Sequence, residues 1–183
     1  MKKNIRLLWL LAIACSPIFA GCKKDKTDEE QLPLITQTGA NTFGCLINGK
    51  IYTPKGFEQN KPNFRVIVDP GFNDGSLGII TFNKDDNHTS NVSFGSDSIR
   101  QIGNYPVYLN SRSSFNYSQE VNGNQVCLTI GKHTSSASGF ISITRYDLTN
   151  RIISGEFEFH FSNPDCGIGE PIHITQGRFD KKF

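Results

Sequence analysis

Two imidazoles and a carboxylate are donors that zinc and copper accept, and the C-terminal part of this chain supplies such a set. Phe157, Phe159 and Phe161 alternate with Glu156, Glu158 and His160. Beyond the loop Ser162–Glu170, Ile172 and Ile174 alternate with His173 and Thr175. If the apolar residues share the inner face, a hairpin that pairs Phe161 with Ile172 also sets His160 opposite His173. Glu158 then lies two residues along on the same outer face. A solvated strand face carries these residues equally well, and the pattern offers no third close ligand of firm geometry. No metal is assigned.

Other chemistry is weaker still. Asp69-Pro70-Gly71-Phe72-Asn73-Asp74-Gly75 gathers oxygen ligands near a turn, but it departs from calcium-loop spacing and lacks the closing glutamate. Plain turn chemistry accounts for it, and the polar run from Asn83 to His88 reads as an exposed loop. No G-x-S-x-G, H-E-x-x-H, C-x-x-C or phosphate-binding glycine loop is present. Glu156 and Glu158 share one strand face, where carboxylates are usually surface charges, and no tryptophan is available to line a sugar cleft. The motifs call for no catalytic residue and no cofactor.

Cysteine chemistry is more informative. Lys2, Lys3 and Arg6 precede an apolar run from Leu7 to Cys15, and Ile18-Phe19-Ala20-Gly21 then meets Cys22. Basic start, short apolar core and small residues at a cleavage point make a secretory signal. The run falls short of the ~20 residues that cross a bilayer. The ending Ala20-Gly21-Cys22 resembles the lipobox of bacterial lipoproteins, in which the cysteine is acylated and becomes the first residue. Two or more acyl chains make a stable anchor where one does not. Three cysteines remain beyond the anchor. Cys45 shares a face with Phe43 and Ile47 and reads as a buried free thiol. Cys127 lies on a strand and Cys166 in a loop, a possible disulfide pair that spacing alone does not fix.

The bulk numbers bound the partners. Removing residues 1–21 leaves 162 and takes three basic residues with it, so the mature chain carries a net charge of about −1. The sequence pI of 8.3 is therefore that of a precursor. Nucleic-acid binding needs clustered Lys and Arg, and the near-neutral chain gives no ground for it. The only tryptophan, Trp9, belongs to the leader, while thirteen of fourteen phenylalanines lie beyond it. Phenylalanine has no polar handle, so it belongs in a core.

The elements follow from hydropathy. Residues 23–30 are wholly polar and Pro33 and Gly39 break the stretch that follows, so 22–39 reads as an acylated cysteine and flexible tether. From Thr42 the pattern has period two. Phe43, Cys45 and Ile47 run up to Asn48-Gly49, a strong hairpin signal, and Asn122-Gly123 is a second. Strand-like runs follow at 64–68, 77–82, 89–94, 105–109, 114–119, 125–130 and 140–146, with turns rich in Gly, Asn, Asp and Ser. The expectation is an all-β domain over 40–183: an antiparallel β-sandwich, or alternatively a closed lipocalin-like barrel. Lys181 interrupts the apolar face of the last strand, which reads as an edge strand guarded by an inward charge.

Two stretches carry a resemblance. Thr36-Gln37-Thr38-Gly39-Ala40-Asn41-Thr42-Phe43-Gly44-Cys45 with Asn48-Gly49-Lys50 at the start, and Ile153-Ser154-Gly155-Glu156-Phe157-Glu158-Phe159 with Ile174-Thr175-Gln176-Gly177-Arg178-Phe179-Asp180 at the end, are similar to a Bacteroidota lipoprotein family of unknown function. The resemblance implies a signal peptide, tether and β domain on the cell envelope, and brings no catalytic residue. Acidic residues after Lys23 and Lys24 resemble the export signal to the outer face, and the two lysines that precede them leave periplasmic and surface faces both open.

The functional expectation is a protein on the outer membrane, held through acyl chains on Cys22. Its non-catalytic β domain would bind a small ligand or serve another envelope protein. A lipocalin-like carrier of a small apolar ligand is the alternative, and a hydrolase is the third reading.

Overall fold

Alternation of apolar and polar side chains puts one face of each strand toward a core, and here that rule builds two sheets. In a computed structural model the described residues are 31–58, 60–108, 113–130, 136–162 and 171–183, with backbone only for 127–130 and 136–137. Cys22, Cys166 and the side chain of Cys127 lie outside that description, and so do the leader and the expected disulfide.

Eleven strands run in chain order: β1 (Ala40–Ile47), β2 (Lys50–Tyr52), β3 (Phe64–Asp69), β4 (Ser76–Lys84), β5 (His88–Asp97), β6 (Gly103–Tyr108), β7 (Ser113–Val121), β8 (Asn124–Ile130), β9 (Ser136–Asp147), β10 (Ile152–Ser162) and β11 (Ile172–Lys182). One sheet has the order β2-β1-β11-β10-β9-β6 and the other β3-β4-β5-β7-β8, with every strand pairing antiparallel. The result is a β-sandwich. The closed barrel is not formed: β2 and β6 end one sheet and β3 and β8 the other, so each sheet keeps two edges.

Local chemistry sets the hairpins. Asn48 and Gly49 have φ of 47° and 80°, and Asn122 and Gly123 of 52° and 76°. Positive φ at both central residues is what a two-residue type I′ turn demands. In β11 the inward residues are Ile172 and Ile174, then Gly177 and Phe179, a change of parity. A bulge at Gln176 (φ 52°) absorbs it, because Phe157 pairs with Gly177 while Phe159 pairs with Ile174.

The core is aromatic. Phe94 of β5 lies 4.6 Å from Phe157 and 5.2 Å from Phe159 between ring centroids, and Phe115 of β7 lies 4.4 Å from Phe161. These offset and tilted contacts between the sheets pack the phenylalanines solid, leaving the centre of the sandwich filled.

The last strand corrects one expectation. β11 is an interior strand, bonded to β1 on one side and β10 on the other, so Lys181 does not guard an edge. Its ammonium sits 5.0 Å over the Phe64 ring and donates to Asn41 Oδ1, and desolvation lowers its pKa. The aromatic face and the Asn41 oxygen let a cation stay in this half-buried position. Deleting Gly177–Phe183 removes half of this strand, including buried Phe179 and Asp180. The truncated chain is expected to lose its cooperative thermal transition, followed by circular dichroism. An unchanged melting temperature refutes the central role of β11.

The residues leading into β1 are fastened to the same strand. Thr36, Thr38, Gly39 and Ala40 all donate to the Asp180 carboxylate, Arg178 donates to Pro33 O and Arg145 to Gln37 O. Gly44 permits this close approach, since a Cβ there would stand 2.6 Å from Pro33.

Candidate functional site

The inner face of the second sheet changes character along its length. Cross-strand rows run Ile79–Phe94–Phe115, then Thr81–Val92–Tyr117, then Asn83–Ser90–Gln119. Period-two alternation keeps all nine on the inward side, so the gradient from apolar to polar is written into three strands at once. His88 continues the row of Phe94, Val92 and Ser90. On the facing sheet, Tyr52 and Lys50 of β2 repeat the trend, because register with Ile47 turns Lys50 inward at the sheet end. Polar side chains aimed between two sheets need a hydrogen-bond partner from protein, water or a ligand.

A cleft opens at that end. Its volume is about 760 Å³, and it lies between the β1–β2 and β4–β5 turns. That size is within the ~300–1,000 Å³ range of small-molecule sites. No phenylalanine lines it; the walls are Tyr52, Tyr117 and Ile172 with the polar row above. Tyr52 Oη bonds Thr81 Oγ1 at 3.0 Å and donates to Ser90 O at 3.4 Å, and Thr81 Oγ1 donates to Val92 O at 2.8 Å. Burial pushes the Tyr52 phenol up, with Thr81 partly offsetting it, and burial also raises Tyr117. Both stay neutral donors at physiological pH.

Gln119 and His88 meet at 2.8 Å through their Nε2 atoms. With the amide nitrogen as donor, His88 Nε2 is the acceptor of this bond. The loop after β2 closes one wall: Lys55 N donates to Phe82 O, Lys84 N to Lys55 O, and Asn83 Nδ2 to Thr53 O at 2.9 Å. Gly56 lets this loop lie flat on β4, because a Cβ there would come within 2.3 Å of Lys84 O. Among the described residues Lys50, Lys55, Lys84 and one carboxylate, Asp85, line the cleft. That carboxylate is engaged by the backbone N–H groups of Asn87 and His88 at 3.1 and 2.8 Å.

The histidine pairing expected from parity is present. His160 pairs with His173 and Phe161 with Ile172. His160 Nδ1 lies 2.8 Å from His173 Nδ1, and His160 Nε2 lies 2.8 Å from Glu158 Oε1. With both imidazoles neutral, His160 donates to Glu158 and accepts from His173. Glu158 thus sits on the far nitrogen of His160, and the three donors form a chain instead of converging. Among the described residues no group of three or more His, Cys, Asp or Glu is arranged to hold a metal ion. His173 N donates to Asn48 Oδ1 at 2.7 Å, which ties this row to the cleft-side turn.

The Asp69–Gly75 turn engages its polar side chains within itself and with Asp97 and Arg100. Asp69 Oδ1 accepts from Gly71 N at 2.9 Å, Asp74 pairs with Arg100, and Asn73 donates to Asp97 at 3.1 Å. Cys45 is fully buried and free, and burial pushes its thiol far up, which leaves it inert. The cleft residues His88, Ser90, Tyr117 and Gln119 were not singled out by motif. The available signal was the continuation of inward parity past Val92 and Phe115 into polar residues. Comparison with family models, with curated proteins and with solved structures finds no match to this chain.

Proposed function

We propose that this chain is a lipid-anchored protein of the outer membrane whose β-sandwich is a non-catalytic module for binding a small ligand. One observation carries the binding half: a preformed cleft between the sheets where inward rows end in Asn83, Ser90, Gln119 and His88. Those groups recognise rather than react. The imidazole of His88 is bonded to an amide, and the cleft tyrosines hold their protons. Location rests on the leader that ends at Cys22. An apolar ligand enclosed by phenylalanines, the lipocalin-like alternative, finds less support, because the phenylalanines fill the core and the open space is lined by isoleucine, tyrosine and polar side chains.

Metabolic labelling with palmitate tests the anchor. The wild-type chain is expected to take label and sediment with membranes, and Cys22→Ser to do neither. Label that survives Cys22→Ser, or an unlabelled wild type in the soluble fraction, overturns the reading.

A further inference from the structure

We propose that the domain rests on the bilayer with one side down, dipping Leu34, Ile35 and Phe57 into the lipid interface. This deepens the reading of an acyl anchor at Cys22 and rests on it. The fold fixes where the free chain starts. Leu32 and Pro33 lie close over Gly44, Arg178 donates to Pro33 O, and Thr36 to Ala40 close over Asp180. The stretch expected to be tether as far as residue 39 is thus part of the domain from Leu32 onward. From Cys22 to Gln31 the chain spans at most about 32 Å when fully extended. A domain of this size is roughly 38 Å across, and a path round it to the opposite side is longer still. The side where Gln31 departs therefore stays next to the lipid.

Two segments border that point of departure. A groove of about 210 Å³ beside Gln31 is lined by Pro33 and, from the connection between β2 and β3, by Thr53, Pro54 and Asn63. Leu34 and Ile35 follow Pro33 directly and Phe57 lies three residues past Pro54, so each stays within about 11 Å of the groove. These segments carry the two most exposed large apolar side chains among the described residues, Leu34 at 82% and Phe57 at 77%, with Ile35 at 55%. Single exposed apolar residues are ordinary. Here the extreme cases gather where the anchored chain leaves the fold. Leucine, isoleucine and phenylalanine settle at the boundary of headgroups and acyl chains, and apolar area buried there strengthens the hold of an anchor.

Depth-dependent fluorescence quenching tests this. Trp9 precedes Cys22 and no other tryptophan is present, so a single indole introduced into the processed chain reports its own position. Leu34→Trp, Phe57→Trp and Val126→Trp are made in the full acylated chain and reconstituted into phosphatidylcholine vesicles. Val126 is 43% exposed on β8, at the opposite edge of its sheet from β3, and serves as the far-side reference. With bromine on the lipid chains near the headgroups, Leu34→Trp and Phe57→Trp are expected to lose about half of their emission or more, and Val126→Trp under about a tenth. Adding Leu34→Ser and Ile35→Ser to the Phe57→Trp chain is expected to restore much of the lost emission. An unchanged melting temperature certifies that each variant folds. Quenching at Val126→Trp equal to the other two, quenching at only one of Leu34→Trp and Phe57→Trp, or none in vesicles that retain the chain overturns the proposal and leaves the anchor standing. A chain that takes no palmitate and does not stay with the vesicles removes the anchor, and the proposal falls with it.

Discussion

Asp180→Ala is expected to lower the unfolding free energy by about 3 kcal/mol or more, measured by urea denaturation at pH 7. The carboxylate is 1% exposed. Its Oδ2 accepts from Thr36 Oγ1 at 2.7 Å, Thr38 N at 2.9 Å and Ala40 N at 3.0 Å, and its Oδ1 from Gly39 N at 2.8 Å and Ser154 Oγ at 2.7 Å. Removing it leaves three backbone N–H groups without an acceptor, each costing about 1–3 kcal/mol where water cannot reach. A loss under about 1 kcal/mol would mean that solvent or a shifted backbone replaces the clamp.

The same group gives an acid sensitivity of known sign. Burial alone would push the Asp180 carboxyl up, but bonds from Thr36, Ala40, Ser154 and Gly39 outweigh it and hold the group well below the usual carboxylate range. The unfolded chain, with an aspartate near pKa ~3.9, therefore binds more protons than the native one in that window. Stability from Asp180 is complete above about pH 5 and is lost as pH falls below about 4. Asp180→Ala should flatten this fall without abolishing it, because hydrogen bonds from Arg145 and Asn150 also hold half-buried Asp147 low. Parallel pH profiles of variant and wild type would remove Asp180 as the cause.

Phe94→Ala carries the second large effect. Phe94 faces Phe43, Phe157, Phe159 and Phe179 of the opposite sheet, at ring-centroid distances of 6.5, 4.6, 5.2 and 6.2 Å. Truncation in a packed core costs the transfer energy of the ring and a cavity besides, about 3–5 kcal/mol for Phe→Ala. Domains of this size hold roughly 5–15 kcal/mol in total, so the variant should melt many degrees lower. Phe57→Ala is the control: its ring is 77% exposed, and surface changes usually stay within about 0.5 kcal/mol. Comparable losses at the two positions would contradict a core centred between the sheets.

Much of the strand pattern was legible because alternation and turn residues are local. Asn48-Gly49 and Asn122-Gly123 mark their hairpins through φ alone, and Phe157, Phe159 and Phe161 declare an inward face without knowing what they face. The His160–His173 pairing was legible for the same reason, since parity on two strands joined by one loop leaves a single arrangement of outer faces. Cys45 as a buried thiol followed from its apolar neighbours at i±2.

What the sequence determined by itself is therefore what depends on near neighbours: the strands, their inward faces and the tight turns. The tertiary structure alone decided the rest. Whether the strands close into a barrel or stack as two sheets depends on which edges meet, and edges are chosen by packing across the core. That β11 is central and Lys181 no edge guard follows from β1 and β10 both pairing with it, a contact spanning most of the chain. Asp180 looks like one more surface acid until Thr36–Ala40 fold over it from more than a hundred residues away. The cleft is of the same kind, because Lys50, Lys84, His88 and Gln119 come from separate strands. Their polarity acquires meaning only when two sheets bring those ends together.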